Sequence, residues 1–127
     1  WCYFFDKSSK ENKKVSKYLE KALKKEEILI NTVIIMEISH FLIKNLGPIN
    51  GKKKMEAFLE FPLRIDDFDY AVSKESIDLL CEYSHEGIGG RDATILATMK
   101  KLGVKKLITH DASFRNIGWL DVIDPVR

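Results

Sequence analysis

Three carboxylates stand where simple patterning does not call for them. Glu37 interrupts the apolar run Val33-Ile34-Ile35-Met36-Glu37-Ile38. Asp92 opens a helical pattern just after Gly89-Gly90-Arg91, and Asp111 follows directly on the strand-like Leu107-Ile108-Thr109-His110. An unpaired carboxylate is costly to bury, so each must be paired, protonated, bound to a metal or turned to water. Each also has an ordinary structural reading. Glu37, His40 and Lys44 fall at i, i+3, i+7 and can form the wet stripe of a helix. Asp92 can cap a helix or complement its dipole, and Asp111 can shape a turn. Should the three converge, their oxygens suit a hard cation such as Mg²⁺ or Mn²⁺. Without a cation they would repel one another and raise their own pKa values.

Convergence depends on the elements that carry them. Val15, Tyr18, Leu19 and Ala22 give a helical stripe within Ser9 to Lys25, after a polar turn from Asp6 to Glu11. Trp1 to Phe5 reads as the end of a buried element. Ile28-Leu29-Ile30 reads as a short strand, and Asn31 or Thr32 can cap a helix running to about Asn45, before Gly47-Pro48. A further helix fits Lys52 to Phe61, and Leu63 to Phe68 fits a strand. A helix opening at Ser73 would carry Ile77, Leu80 and Cys81. After the Gly87–Gly90 loop, Ile95, Leu96, Met99 and Leu102 share one helical face, closed by Gly103. Lys106 to Thr109 and Leu120 to Ile123 read as strands, with a tight turn or short helix at Asp111 to Phe114. Short apolar strands alternating with helices imply a parallel sheet covered on both faces, and in such sheets ligands bind at the carboxyl ends of the strands. A parallel sheet brings strand ends and following helix starts to one edge, which would allow Glu37, Asp92 and Asp111 to converge.

Composition narrows the classes. The 127 residues fit one domain, and 45% hydrophobic residues fit a globular chain with a real core. Twenty-one basic against 19 acidic residues give a net charge of +2, too mild to argue by itself for nucleic acid or a membrane surface. No apolar run approaches the roughly 18 residues that span a bilayer. Two cysteines, Cys2 and Cys81, exclude a disulfide framework and a four-cysteine zinc site, and are expected to be buried free thiols in a reducing, cytoplasmic setting. The histidines lack metal-ligand spacing, and no phosphate-cradling glycine loop or nucleophile elbow is present.

The segment Gly90-Arg91-Asp92-Ala93, followed by a helix and then Leu107-Ile108-Thr109-His110-Asp111-Ala112-Ser113-Phe114, closely resembles the C-terminal half of PIN-domain ribonucleases, most of all the VapC toxins of toxin–antitoxin pairs. The close Val122-Ile123-Asp124-Pro125 matches the family's last strand. Asn31 to Ile38 is similar to its second acidic motif, and Phe5 to Ser9 with the helix after it to its first loop and helix. The resemblance covers nearly the whole chain. It implies a single PIN-like domain over 1–127, an α/β fold of the three-layer α/β/α type with a mostly parallel sheet. One departure stands out: the family's first strand, which ends in an Asp, has no match, and Trp1 falls just after it. The natural protein is therefore expected to be longer by roughly one strand.

The resemblance implies a metal-dependent endoribonuclease. Asp92, Asp111 and Glu37 would be its catalytic and metal-holding residues, with Mg²⁺ or Mn²⁺ activating water for attack on a phosphodiester. Thr109 would support the site by a hydrogen bond, and Arg91 would bind substrate phosphate or pair with a site carboxylate. His110 is expected to turn away from its neighbours. Lys52-Lys53-Lys54, Lys100-Lys101 and Lys105-Lys106 are candidate RNA contacts that also read as solvated surface. The family implies an RNA substrate, a homodimer and an antitoxin partner, and no membrane. Rival readings are a non-catalytic PIN-like binding or scaffold module, a PIN nuclease of ribosomal or transfer RNA processing, and a receiver-type domain; the last needs paired acids after the first strand and a late lysine, and neither is visible.

Overall fold

The computed structural model describes residues 1–127, and the chain divides into two compact units, 1–66 and 67–127. In the first unit, Trp1 precedes a single helical turn, α1 (Cys2–Phe5), rather than ending a buried strand. The helix α2 (Asn12–Lys25) begins later than its stripe suggests and buries Val15, Leu19 and Ala22. Ahead of it, the Asn12 side-chain amide donates to the carbonyls of Tyr3 (2.7 Å) and Phe4 (3.0 Å), tying α1 to the start of α2.

Strand β1 (Ile28–Asn31) pairs in parallel with β2 (Leu63–Asp66), with Ile28 opposite Leu63 and Asn31 opposite Asp66. Between them runs α3 (Thr32–Leu59), two helical stretches joined at Gly47, whose φ of 82° and ψ of 168° leave the helical region. Pro48 follows at the opening of the second stretch, where its missing N–H costs least. The break expected at Gly47-Pro48 is therefore a kink, and the second stretch starts before Lys52. Asn31, only 1% exposed, caps α3 by accepting the Ile34 N–H at 2.9 Å. A core of Ile30, Ile38, Leu42, Met55 and Phe58 fills this unit. Phe58 packs edge-on against Trp1, Phe5 and Phe61, with centroids 4.8, 5.5 and 5.4 Å away.

The second unit opens with α4 (Tyr70–Tyr83), capped by Asp69, which accepts the Val72 N–H at 3.0 Å. The helix therefore opens before Ser73, and its buried face is not the one expected. Val72, Ser76 and Leu79 point inward, while Ile77 is 60% exposed and Cys81 is exposed too. Neither cysteine is disulfide-bonded, and, against expectation, neither is buried. A short 3₁₀ turn, Ser84–Glu86, leads to α5 (Gly90–Leu102), which buries Ala93, Leu96, Ala97, Thr98 and Met99. Gly103 closes α5 in the left-handed conformation that a glycine adopts without strain. Strands β3 (Lys106–Ile108) and β4 (Asp121–Ile123) pair in parallel, with Ile108 opposite Ile123. Val72, Leu79, Ala93, Leu96, Ala97, Phe114 and Ile117 form this unit's core. Every strand pairing in the chain is parallel, in two two-stranded sheets. No helix is long and apolar enough to cross a membrane.

Candidate active site

In the second unit, the two aspartates occupy the ends of elements, where the sequence pattern puts them. Asp92 lies in the first turn of α5, and its Oδ2 accepts the Gly89 N–H at 3.1 Å. The bond satisfies a donor at the helix start, and the charge complements the positive end of the helix dipole. Asp111 sits three residues past β3 and caps a 3₁₀ helix, Ala112–Asn116, by accepting the Ser113 N–H at 2.9 Å through Oδ1. The Thr109 hydroxyl accepts the Asp111 N–H at 3.1 Å. Thr109 is thereby tied to the backbone at Asp111.

The loops that carry these aspartates are joined. Asn116 donates its side-chain N–H to Glu86 at 3.0 Å. Gly87, at φ 85°, lies so close that a Cβ there would come within 3.1 Å of the Ser113 hydroxyl. A glycine is needed on both counts, the positive φ and the close approach. The approach to Asp92 is thereby held against the turn that Asp111 opens.

A second device holds the Asp111 loop. The part-buried carboxylate of Asp124, just past β4, is 3.0 Å from His110 Nδ1 through both oxygens. It also accepts from Arg115 Nη2 at 3.0 Å and from the Val126 N–H at 2.9 Å, with Arg127 Nε at 3.6 Å. Burial alone would raise the Asp124 carboxyl. The Val126 N–H, the His110 hydrogen bond and the charges of His110 and Arg115 outweigh it and hold the carboxyl below the ordinary carboxylate range. His110 finds its partner just past the adjacent strand. Sequence reasoning gave Asp124 no role. The signal was available: in a parallel pair that sets Ile108 opposite Ile123, an acid at 124 stands beside whatever follows β3.

The depressed Asp124 carboxyl makes a pH prediction. Its folded pKa lies below the unfolded value of about 3.9. The stabilisation is therefore complete above that value and is lost as pH falls through the folded pKa. Asp124→Asn should melt below the wild-type protein at pH 7, and the gap should close as pH drops below about 4. A gap of constant size across that range, measured by thermal unfolding, would show that charge at Asp124 contributes nothing.

Glu37, in the first unit, lies in the second turn of α3 and is half-buried, while His40 and Lys44 of the same stripe are exposed. Arg91 is exposed in the first turn of α5. No group of three or more His, Cys, Asp or Glu side chains forms a cluster able to hold a metal ion. Asp92 and Asp111 each use one carboxylate oxygen in the hydrogen bonds above, leaving the other for a ligand. These are hard oxygen donors of the kind Mg²⁺ and Mn²⁺ accept. The donors fit such an ion in kind, without a preassembled set of three.

Known structures share this fold. VapC20 of Mycobacterium tuberculosis, a toxin that cleaves the sarcin–ricin loop, is 15% identical, with a TM-score of 0.78 over 93% of this chain and 89% of its own. VapBC2 of Rickettsia felis, bound to a DNA fragment of its promoter, is 23% identical, with a TM-score of 0.72 over 96% and 91%. DNA-bound VapBC of Salmonella typhimurium is 17% identical, with a TM-score of 0.72 over 97% and 90%. No curated protein matches the chain. The α/β/α class implied by the sequence is the class of these folds. The PIN domain pattern matches residues 1–120, and the chain belongs to the PIN domain family.

Proposed function

We propose that this protein is an endoribonuclease that hydrolyses RNA phosphodiester bonds, and that it serves as the toxin of a toxin–antitoxin pair. The observation that carries the reading is the joined pair of loops bearing Asp92 and Asp111, in a chain of PIN family membership whose structural relatives include a toxin that cleaves the sarcin–ricin loop. Asp92 and Asp111 would hold Mg²⁺ or Mn²⁺ through their remaining oxygens. Glu37 is given the third carboxylate role, as a ligand or a water orienter, on its motif. A divalent ion supplies an activated water and stabilises charge on the phosphate. The chain's own contribution is to fix the carboxylates: Thr109 anchors the Asp111 backbone, and Asp124 braces the same loop through His110 and Arg115. No side-chain nucleophile is needed. Arg91, adjoining Asp92 on exposed helix surface, is suited to grip a substrate phosphate by its bidentate fork.

An antitoxin is the partner this reading implies, since VapBC complexes are among the relatives. A homodimer is expected for the same reason of kinship. The test is cleavage of a mixed structured RNA with Mn²⁺ and with EDTA. Cleavage should require the metal and disappear in Asp92→Asn. Cleavage that persists in EDTA would overturn the metal-dependent mechanism, and a folded protein that binds RNA and leaves it intact with Mn²⁺ would move the assignment to a non-catalytic binding module.

A further inference from the structure

Asp111 opens the 3₁₀ helix Ala112–Asn116, and Arg115 lies near the end of that same short helix. Its guanidinium is held in place: Nη2 donates to Asp124 Oδ2 at 3.0 Å, and no other acceptor bonds it. An arginine carries five N–H donors in a planar fork. Most of this fork is therefore left without a protein acceptor. The side chain is 33% exposed, so a ligand can reach it.

The charge around it does not cancel. The Asp124 carboxylate is met by two guanidinium groups, Arg115 at 3.0 Å and Arg127 at 3.6 Å, and by His110 at 3.0 Å. Two permanent cations against one carboxylate leave a positive surplus, whatever the protonation of His110. The surplus is local, because residues 67–127 as a whole carry more acidic than basic side chains. It also flanks Asp111. His110 precedes that residue, Arg115 follows it in the same turn, and one carboxylate ties both. At about 2 Å of rise per residue, the 3₁₀ helix sets Arg115 roughly 8 Å along the chain from Asp111.

We propose that Arg115 grips a phosphate of the RNA chain flanking the bond to be cut, and that Asp124 presents the fork for it. A guanidinium fork matches a pair of phosphate oxygens, and a fork already held at one nitrogen has less freedom to lose on binding. An RNA strand is anionic at every residue, so a strand placed at Asp111 carries its neighbouring phosphates past this surplus. Asp124 thus has a task beyond holding the loop: it aims a substrate contact. That RNA is the ligand rests on the nuclease reading; that the fork takes a phosphate oxyanion rests on its free donors and the local charge.

The test is equilibrium binding of a fluorescent oligoribonucleotide in EDTA, in an Asp92→Asn background so that no cleavage intrudes, with thermal unfolding to establish that each variant is folded. Arg115→Gln should weaken binding about tenfold and lower the salt slope by about 1. Arg115→Lys keeps the charge and loses the fork; it should weaken binding several-fold and leave the salt slope unchanged. Asp124→Asn separates aim from charge. Removing a negative charge would tighten RNA binding if charge alone mattered, whereas losing the presented fork should weaken it several-fold. In the Asp92 protein with Mn²⁺, Arg115→Lys should raise KM with kcat nearly unchanged, while mere damage to the Asp111 loop would lower kcat. Unchanged affinity and salt slope in a folded Arg115→Gln protein overturn the proposal, and tighter binding by Asp124→Asn overturns the part given to Asp124. In a second arm, inorganic phosphate replaces RNA. If phosphate raises the melting temperature only when Arg115 is present, while RNA affinity ignores Arg115, the fork takes free phosphate and the RNA proposal is overturned. The nuclease reading fails separately: RNA left intact by the wild-type protein with Mn²⁺, but bound through Arg115, would sink the chemistry and keep the phosphate grip.

Discussion

Replacing Asp111 by asparagine is expected to lower RNA cleavage by more than about 100-fold while the protein remains folded. Mutation of groups that merely support metal ligands typically costs 10–100-fold, so loss of a ligand's charge should cost at least the upper figure. The substitution separates the two jobs the side chain performs. Structurally, Asp111 accepts the Ser113 N–H through one oxygen, and the asparagine carbonyl can accept the same bond. The Thr109 hydroxyl grips the backbone N–H at 111, which the substitution leaves in place. Chemically, asparagine offers a neutral oxygen in place of a carboxylate, a poor donor for a hard divalent ion. The measurement is the single-turnover rate of RNA cleavage with Mn²⁺, beside circular dichroism and thermal unfolding. A folded Asp111→Asn protein with undiminished activity would remove Asp111 from the catalytic set, and with it the main geometric support for the nuclease reading.

Much of this was legible because local chemistry dictated it. An amide before an apolar helical pattern must serve the free N–H groups at its start, and Asn31 does so. A glycine after Met99-Lys100-Lys101-Leu102 is the cheapest way to turn the chain left-handed, and Gly103 does so. The aspartates were legible for the same reason: each stands at an element boundary, where short-range rules are strongest. The errors came where two residues competed for one role. Asp69 and Ser73 both suit a helix start, and the earlier one prevails because its carboxylate reaches the Val72 N–H. Ile77 faces solvent because Val72, Ser76 and Leu79 form the buried face. The Ser73 hydroxyl instead bonds back to the Asp69 carbonyl at 2.9 Å, as hydroxyls inside helices do.

The Asp124 brace was hidden for a different reason. Its partners, His110 and Arg115, are 14 and nine residues away in sequence, and only the β3–β4 pairing brings them together. Periodicity within one element cannot disclose a bond between the ends of two. The exposure of Cys2 and Cys81 was likewise beyond a composition argument. Cys2 lies on a single helical turn at the surface, and Cys81 on the face of α4 opposite Val72, Ser76 and Leu79.

The largest effect on stability is expected from Phe58→Ala, which should cost about 3–5 kcal/mol and lower the melting temperature by about 10–20 °C. Phe58 is 1% exposed and sits amid the first unit's core of Ile30, Ile38, Leu42 and Met55. Its ring also meets Trp1, Phe5 and Phe61 edge to face, and such pairs add about 0.5–1.5 kcal/mol beyond the area they bury. Three neighbours drawn from two other segments lose a shared partner at once. The cavity cannot close by moving one of them, because each ring is also held by another: Trp1 by Phe4 at 5.5 Å, and Phe4 by Phe5 at 5.1 Å and by Phe61 at 6.1 Å. Phe58→Leu, which restores much of the volume, should recover most of the loss, whereas Met36→Ala, at a site 67% exposed, should change stability by less than about 0.5 kcal/mol. Equilibrium denaturation of the three variants checks the order. If Phe58→Ala costs no more than Met36→Ala, the aromatic cluster is not what organises the first unit, and the placement of α1 against the end of α3 loses its energetic basis.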